Sequence, residues 1–309
     1  MKILIYGTGG VGGYYGARLE EAGNDVTFIA RGKHLKAIQK NGLYLKSIDG
    51  DYLVSNVKVT DSIADLKTDF DLIILGVKSW QVEKVAQDIK PILREKTMVL
   101  PLQNGADNTD KLLKVLDEKH VLAGLCKIYS KVDDYGIINH FAHTPELILG
   151  ELNNEKSERI LEVKSAFETA KFKTTIPEDI FSEIWKKFMF ICTVSGLGGL
   201  TRVSIGAMVE SEETKNLLRN TAEEIYKIAI AKRINLPTNI VDGIMKFIEN
   251  QPYDSTASTQ RDIMEGRPSE LENFNGYIVE QGKKYGIETT VNSFIYNCLL
   301  PQENNVRNN

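Results

Sequence analysis

Cysteine is scarce: the 309-residue chain has three, Cys126, Cys192 and Cys298. An odd, widely spaced set forms no disulfide framework and no Cys-x-x-Cys metal knuckle. Buried thiols in a reducing compartment are expected instead. Proline is also scarce, 8 residues against 24 glycines, which excludes fibrous and proline-rich classes. Neither sign of charge dominates: 38 Lys and Arg stand against 42 Asp and Glu, a formal net charge of −4. The basic excess of nucleic-acid binders is absent. Long apolar runs are missing too. The stretches without Asp, Glu, Lys or Arg are short, and that at Phe188 to Thr201 is rich in Gly, Ser and Thr, whereas a membrane helix needs about 20 apolar residues. With a strand beginning at Lys2, no signal peptide is expected. The reading is a soluble cytoplasmic protein that binds neither nucleic acid nor membrane.

What is there is a globular composition, 42% hydrophobic and 26% charged, in a chain long enough for two domains at roughly 150 residues each. The first half alternates strands (Lys2–Tyr6, Asp25–Ala30, Asp71–Val77, Thr97–Leu102, Val121–Ser130) with helices (Val11–Ala22, Lys33–Asn41, Trp80–Ile89, Asn108–Leu116). That alternation implies a mostly parallel sheet covered on both faces. Leu43–Ser47 and Tyr52–Thr60 read as a hairpin around Ile48-Asp49-Gly50-Asp51. Gly136–His140 and Glu146–Glu151 read as short antiparallel strands at one edge, and Glu155–Ala170 as a helix.

Past Ile176-Pro177 only helical periodicity remains: Asp179 to Leu200, Ser211 to Arg233, Asn239 to Glu249, Ser269 to Tyr285 and Val291 to Leu299. The prolines fall between or at the starts of these segments. The fold class is therefore α/β, a Rossmann-type parallel-sheet domain over residues 1–176 followed by an all-helical domain over 177–309. The polar tail after Pro301 is expected to fray.

The first strand runs into Gly7-Thr8-Gly9-Gly10-Val11-Gly12, a G-x-G-x-x-G that opens a helix. Gly7 permits the tight turn, Gly9 lets a pyrophosphate approach the backbone, and Gly12 lets helix pack on strand. Free N–H groups and the helix dipole then favour the anion. A glycine-rich turn without ligand is the plain alternative, but this strand-to-helix context favours the dinucleotide. At the end of the second strand, where an acidic residue would bind the ribose of NAD, the chain has Arg31. A guanidinium pairs with a 2′-phosphate, so the expected cofactor is NADP(H). Two further strand endings, Lys78-Ser79-Trp80-Gln81 and Gln103-Asn104-Gly105, lie where ligands bind in open α/β sheets. Lys78 offers a cation and Asn104 a hydrogen-bonding amide to cofactor or substrate. An ordinary loop role remains the alternative for each.

These blocks, with Ile184-Trp185-Lys186-Lys187-Phe188, the run Ser258 to Glu270 and Asn275-Gly276, resemble the ketopantoate reductase (2-dehydropantoate 2-reductase) family in order and spacing over residues 1 to about 290. His143-Thr144-Pro145 and Leu149-Gly150-Glu151 resemble the strand pair that closes the family's first domain. The resemblance implies NADPH-dependent reduction of a small 2-keto acid, ketopantoate, to a 2-hydroxy acid, pantoate, on the route to pantothenate and coenzyme A. It implies a site in a cleft between the domains, and it allows a homodimer. Lys187 matches the family's catalytic lysine, an ammonium that would give a proton to the alkoxide left by hydride arrival. The residues alone leave a solvated helix lysine equally open. Glu270 matches the substrate-binding glutamate and Ser258 a serine on the substrate carboxylate, while Asp262 would support the site.

The chain departs from the family at two pocket positions. Ile191 and Ser195 share a helix face with Lys187 where the family commonly has Asn. Arg261 stands where Gln is usual. The proton donor is retained and substrate identity is put in question, leaving a sister reductase of another 2-keto acid or a non-catalytic NADP(H)-binding regulator as alternatives. His140 and His143 lack further ligands nearby, so no metal site is expected. Trp185, Phe188 and Cys192 read as core.

Overall fold

A computed structural model describes residues 1–66 and 68–308. The chain divides into two compact units, Met1–Ile180 and Phe181 onward. The first comprises β1 (Lys2–Tyr6), α1 (Gly10–Glu21), β2 (Asp25–Ile29), α2 (Gly32–Asn41), β3 (Leu43–Ser47), β4 (Tyr52–Val54), β5 (Lys58–Thr60), β6 (Leu72–Leu75), α3 (Val82–Ile89), β7 (Met98–Pro101), α4 (Asn108–Leu113), β8 (Ala123–Asp134), β9 (Ile137–Gly150), α5 (Glu158–Thr169) and β10 (Lys173–Thr175).

One sheet has the order β5-β2-β1-β6-β7, and every neighbouring pair in it is parallel. Strands β1, β2, β6 and β7 are buried on both faces, which is why they read as largely continuous apolar runs. In β1, Ile3 and Ile5 enter one core cluster with Tyr15, Phe28 and Phe167. Leu4 and Tyr6 enter the opposite cluster with Val82, Val85 and Ile89 of α3. Because β2 and β6 flank β1, successive strands are laid down on opposite sides of β1, and ligands of such sheets bind beyond the strand ends at that switch point.

The second sheet corrects two expectations. Tyr52–Thr60 is not one strand: β4 pairs antiparallel with β3, while β5 returns to the first sheet beside β2. Gly136–His140 and Glu146–Glu151 are not two edge strands either. They belong to the single strand β9, antiparallel to β8 and parallel to β3 and β10. His143-Thr144-Pro145 looks like a turn in sequence, yet the chain absorbs it as a bulge. Between the Lys127–Glu146 and Tyr129–Ala142 pairs, β9 sets these three residues against Ile128 alone, with His143 at φ 55. A bulge of this kind bends a strand without ending it.

The second unit holds α6 (Ile180–Thr201), α7 (Ile205–Glu210), α8 (Glu212–Ala231), α9 (Ile240–Glu249), α10 (Ser258–Met264), α11 (Tyr277–Tyr285) and α12 (Thr290–Asn308). The expected Ser269–Tyr285 helix instead opens with a π-turn over Glu272–Gly276. The frayed tail is a further correction: α12 continues through Pro301 to Asn308, and Asn309 lies outside the described residues. Pro301 removes one helical hydrogen bond, but buried carboxylates fasten both ends of the helix. Glu224 accepts the Val291 and Asn292 backbone N–H groups at 2.8 and 3.0 Å. Glu303, 4% exposed, accepts the Ser269 N–H at 3.0 Å and its hydroxyl at 2.6 Å. Arg307 closes the arrangement, donating to Glu303 and to the Ser269 carbonyl, both at 2.6 Å. Among the described residues no helix is long and apolar enough to cross a membrane.

Candidate active site

In the α/β unit, Gly7, Thr8, Gly9, Gly10, Val11 and Gly12 form the β1–α1 turn, and main-chain bonds hold it. The Gly7 and Thr8 N–H groups both reach the Ile29 carbonyl at the end of β2, at 3.2 and 3.1 Å. The Thr8 hydroxyl donates to that carbonyl at 2.9 Å. Gly7 has φ 103, which an L side chain rarely adopts. A Cβ on Gly12 would run into the Gly7 carbonyl. Gly76, past β6, is equally constrained, since its Cβ would lie 2.6 Å from the same carbonyl. Helix α1 has no acidic residue in its first turn and no side-chain cap, so its N-terminal N–H groups suit a pyrophosphate. A Cβ built on Gly9 would meet only the Gly76 carbonyl, at 3.9 Å. A dinucleotide fits this turn.

His34 braces the turn from α2. Its Nδ1 accepts the Gly136 N–H at 3.0 Å and its Nε2 lies 2.8 Å from the Thr8 carbonyl. That pairing makes Nε2–H the donor, and burial lowers the imidazole pKa. Arg31, exposed between β2 and α2, donates from Nη2 to the Tyr6 hydroxyl at 3.3 Å.

Lys78 and Asn104 follow β6 and β7, and their loops are tied together. The Ser79 hydroxyl donates to the Asn104 carbonyl at 2.5 Å, and Asn108 Nδ2 reaches the same carbonyl at 3.1 Å. Lys111 donates to the Ser79 carbonyl at 3.3 Å and pairs with Asp107 at 2.8 Å. Burial raises the Asp107 pKa despite that cation. Thus the glycine turn, Arg31, Lys78 and Asn104 gather at the carboxyl ends of adjacent strands β2, β1, β6 and β7. Gly76, His34, Asn108 and Tyr6 join this group without having been singled out by sequence. Tyr6 had one legible signal, a hydroxyl at the last position of an apolar strand.

In the helical unit, Lys187, Ile191 and Ser195 lie on α6, with Lys187 and Ile191 half-buried and Ser195 buried. The neighbours of Lys187 are anchored: the Trp185 ring lies 6.3 Å from Tyr277, and Phe188 lies 6.0 Å from both Phe274 and Tyr277. Farther along α6, small residues admit the other elements. A Cβ on Gly196 would strike Asn275, one on Gly198 Gln260, and one on Gly199 Ile263. These contacts bring α10 and the π-turn onto α6. Ser258 is exposed in the first turn of α10, and Glu270 is buried, 4% exposed, two residues before the π-turn. Asp262 accepts Arg267 through Nε at 3.0 Å and Nη2 at 2.8 Å. Arg261 donates to the Thr256 carbonyl and hydroxyl at 2.6 and 3.0 Å. Among the described residues no group of three or more His, Cys, Asp and Glu side chains is arranged to hold a metal ion.

Comparison with known proteins agrees across both units. A relative from Bacillus subtilis, the uncharacterized oxidoreductase YkpB, is 29% identical over 98% of this chain and 99% of its own. A 2-dehydropantoate 2-reductase of Pyrococcus horikoshii is 29% identical over 98% of each chain. The crystal structure of a PanE/ApbA-family ketopantoate reductase from Ralstonia eutropha JMP134 superimposes with a TM-score of 0.90 at 28% identity, covering 99% of this chain and 100% of the other. Residues 3–154 match the family model described as ketopantoate reductase PanE/ApbA, residues 179–303 match that family's C-terminal model, and the chain belongs to this family.

Proposed function

We propose that the protein reduces ketopantoate to pantoate with NADPH. The observation that carries this reading is that one chain holds both a dinucleotide-fitting glycine turn and a half-buried Lys187 in the same helical unit as the buried carboxyl of Glu270. Gly7 to Gly12 would hold the pyrophosphate and Arg31 the 2′-phosphate. Lys78 and Asn104 would meet the substrate end of the cofactor and the keto acid. When bound, the nicotinamide dinucleotide supplies the hydride. Lys187 gives the proton to the carbonyl oxygen as it becomes an alkoxide, and its charge stabilises that oxygen beforehand. Glu270 accepts a hydrogen bond from the substrate hydroxyl, and Ser258 donates to the substrate carboxylate. In this assignment residues 1–176 form the cofactor domain and 177–309 the substrate domain.

A second reading keeps the chemistry and changes the keto acid. It is favoured by Ile191 and Ser195, which replace two amide side chains by an apolar group and a hydroxyl. A buried group left without its partner costs about 1–3 kcal/mol. The test is NADPH consumption with ketopantoate beside other 2-keto acids, with NADH as control. Turnover dominated by ketopantoate and NADPH supports the first reading, and dominance of another keto acid supports the second. Tight NADPH binding without turnover on any of them rejects both.

A further inference from the structure

Alternation along β1 turns Tyr6 toward α3, and the Tyr6 hydroxyl donates to Asp88 Oδ2 at 3.1 Å. The Tyr6 hydroxyl oxygen in turn accepts from Arg31 Nη2 at 3.3 Å. A phenol suits this place because one hydroxyl donates and accepts at once. Asp88 is itself held by Lys84 at 2.7 Å. A relay thus runs from the end of β2, across the last residue of β1, to the helix after β6. Arg31 is exposed while Tyr6 is 3% exposed, so the buried partner anchors the exposed one.

We propose that Tyr6, backed by Asp88, is a positioning residue that sets the preference for a 2′-phosphorylated dinucleotide by pre-ordering the Arg31 guanidinium. The proposal rests on the assignment of Arg31 to the 2′-phosphate. An exposed arginine carries large rotamer entropy, which a phosphate must otherwise remove on binding. One N–H is spent on Tyr6, and the rest of the guanidinium fork remains for the anion. The phenol stays protonated across the working range, because burial and then the Asp88 carboxylate raise its pKa although Arg31 opposes them.

The test compares binding of adenosine 2′,5′-bisphosphate and adenosine 5′-monophosphate by calorimetry. Tyr6→Phe removes only the hydroxyl, and an unchanged melting midpoint checks the fold. The bisphosphate should weaken roughly two- to tenfold, the span set by immobilising one such side chain, and the monophosphate should not change. In an Arg31→Ala background, Tyr6→Phe should add nothing, because the relay acts through Arg31. Equal loss for both probes, no loss for either, or a further loss in the Arg31→Ala background overturns the proposal. If Arg31→Ala leaves the preference for the bisphosphate intact, the assignment of Arg31 fails, and the proposal with it. If Arg31→Ala abolishes the preference and Tyr6→Phe does not alter it, only the relay fails.

Discussion

In the α/β unit the candidate segments are held at main-chain carbonyls. The glycine turn hangs on the Ile29 carbonyl, the Asn104 carbonyl is gripped by Ser79 and Asn108, and the Thr8 carbonyl rests on His34. In the helical unit they are held by side-chain packing and buried carboxylates. Asn275, Gln260 and Ile263 seat against glycines of α6, Glu303 and Arg307 fix Ser269 beside Glu270, and Glu224 holds the start of α12. A turn that presents backbone N–H groups recognises a phosphate whatever the rest of the ligand is. A pocket built from side chains is where one substitution changes the substrate. Under the proposed function, the contrast would place substrate choice at side chains such as Ile191 and Ser195 and leave cofactor binding to the turn.

Four substitutions would break or sharpen this contrast. The largest effect is expected from Gly12→Ala, whose Cβ has no space beside the Gly7 carbonyl. It should cost about 3 kcal/mol and abolish NADPH binding, read by thermal melting and titration. Unimpaired binding would show that the turn yields more easily than its packing implies. Glu270→Ala should lower kcat/KM for the preferred keto acid roughly tenfold or more, as expected for loss of a charge-assisted hydrogen bond, with NADPH affinity kept. Ile191→Asn should raise activity on ketopantoate several-fold, about 1 kcal/mol for one restored hydrogen bond. No change would remove the significance of that position.

The smallest effect concerns His34. Its folded pKa is lowered, so the unfolded chain takes up the proton first and stability must fall as pH drops below about 6.5. The fall ends once folded His34 is protonated as well. Melting curves of wild type and His34→Gln between neutral and mildly acidic pH should show the shallower slope for the variant. Equal slopes would assign the titration elsewhere.

The parallel strands β1, β2, β6 and β7 were legible because burial on both faces leaves largely unbroken apolar runs, and β1 has the predicted limits Lys2–Tyr6. The glycine turn was legible because its backbone geometry tolerates few residues. Strand β9 was not, since Pro145 and a left-handed His143 mimic a turn that long-range pairing overrides. The α12 tail was missed because the carboxylate of Glu303 finds its partner Ser269 34 residues away in sequence, a contact no local pattern carries. The π-turn after Glu270 was hidden for the same reason: its packing partners are on other helices. Lys187 and Lys186 are adjacent lysines in sequence. Lys186 pairs with Glu183 at 2.8 Å on the helix surface, and only the family resemblance singled out its neighbour.

The most direct test of the division between a cofactor-binding turn and a proton-donating helix is Lys187→Ala, measured for both NADPH affinity and turnover of the preferred keto acid. Turnover should fall at least about 100-fold, the lower bound for loss of a general acid, with the NADPH Kd within about twofold of wild type, well under the 1.4 kcal/mol of a tenfold change. Turnover close to wild type would contradict that division.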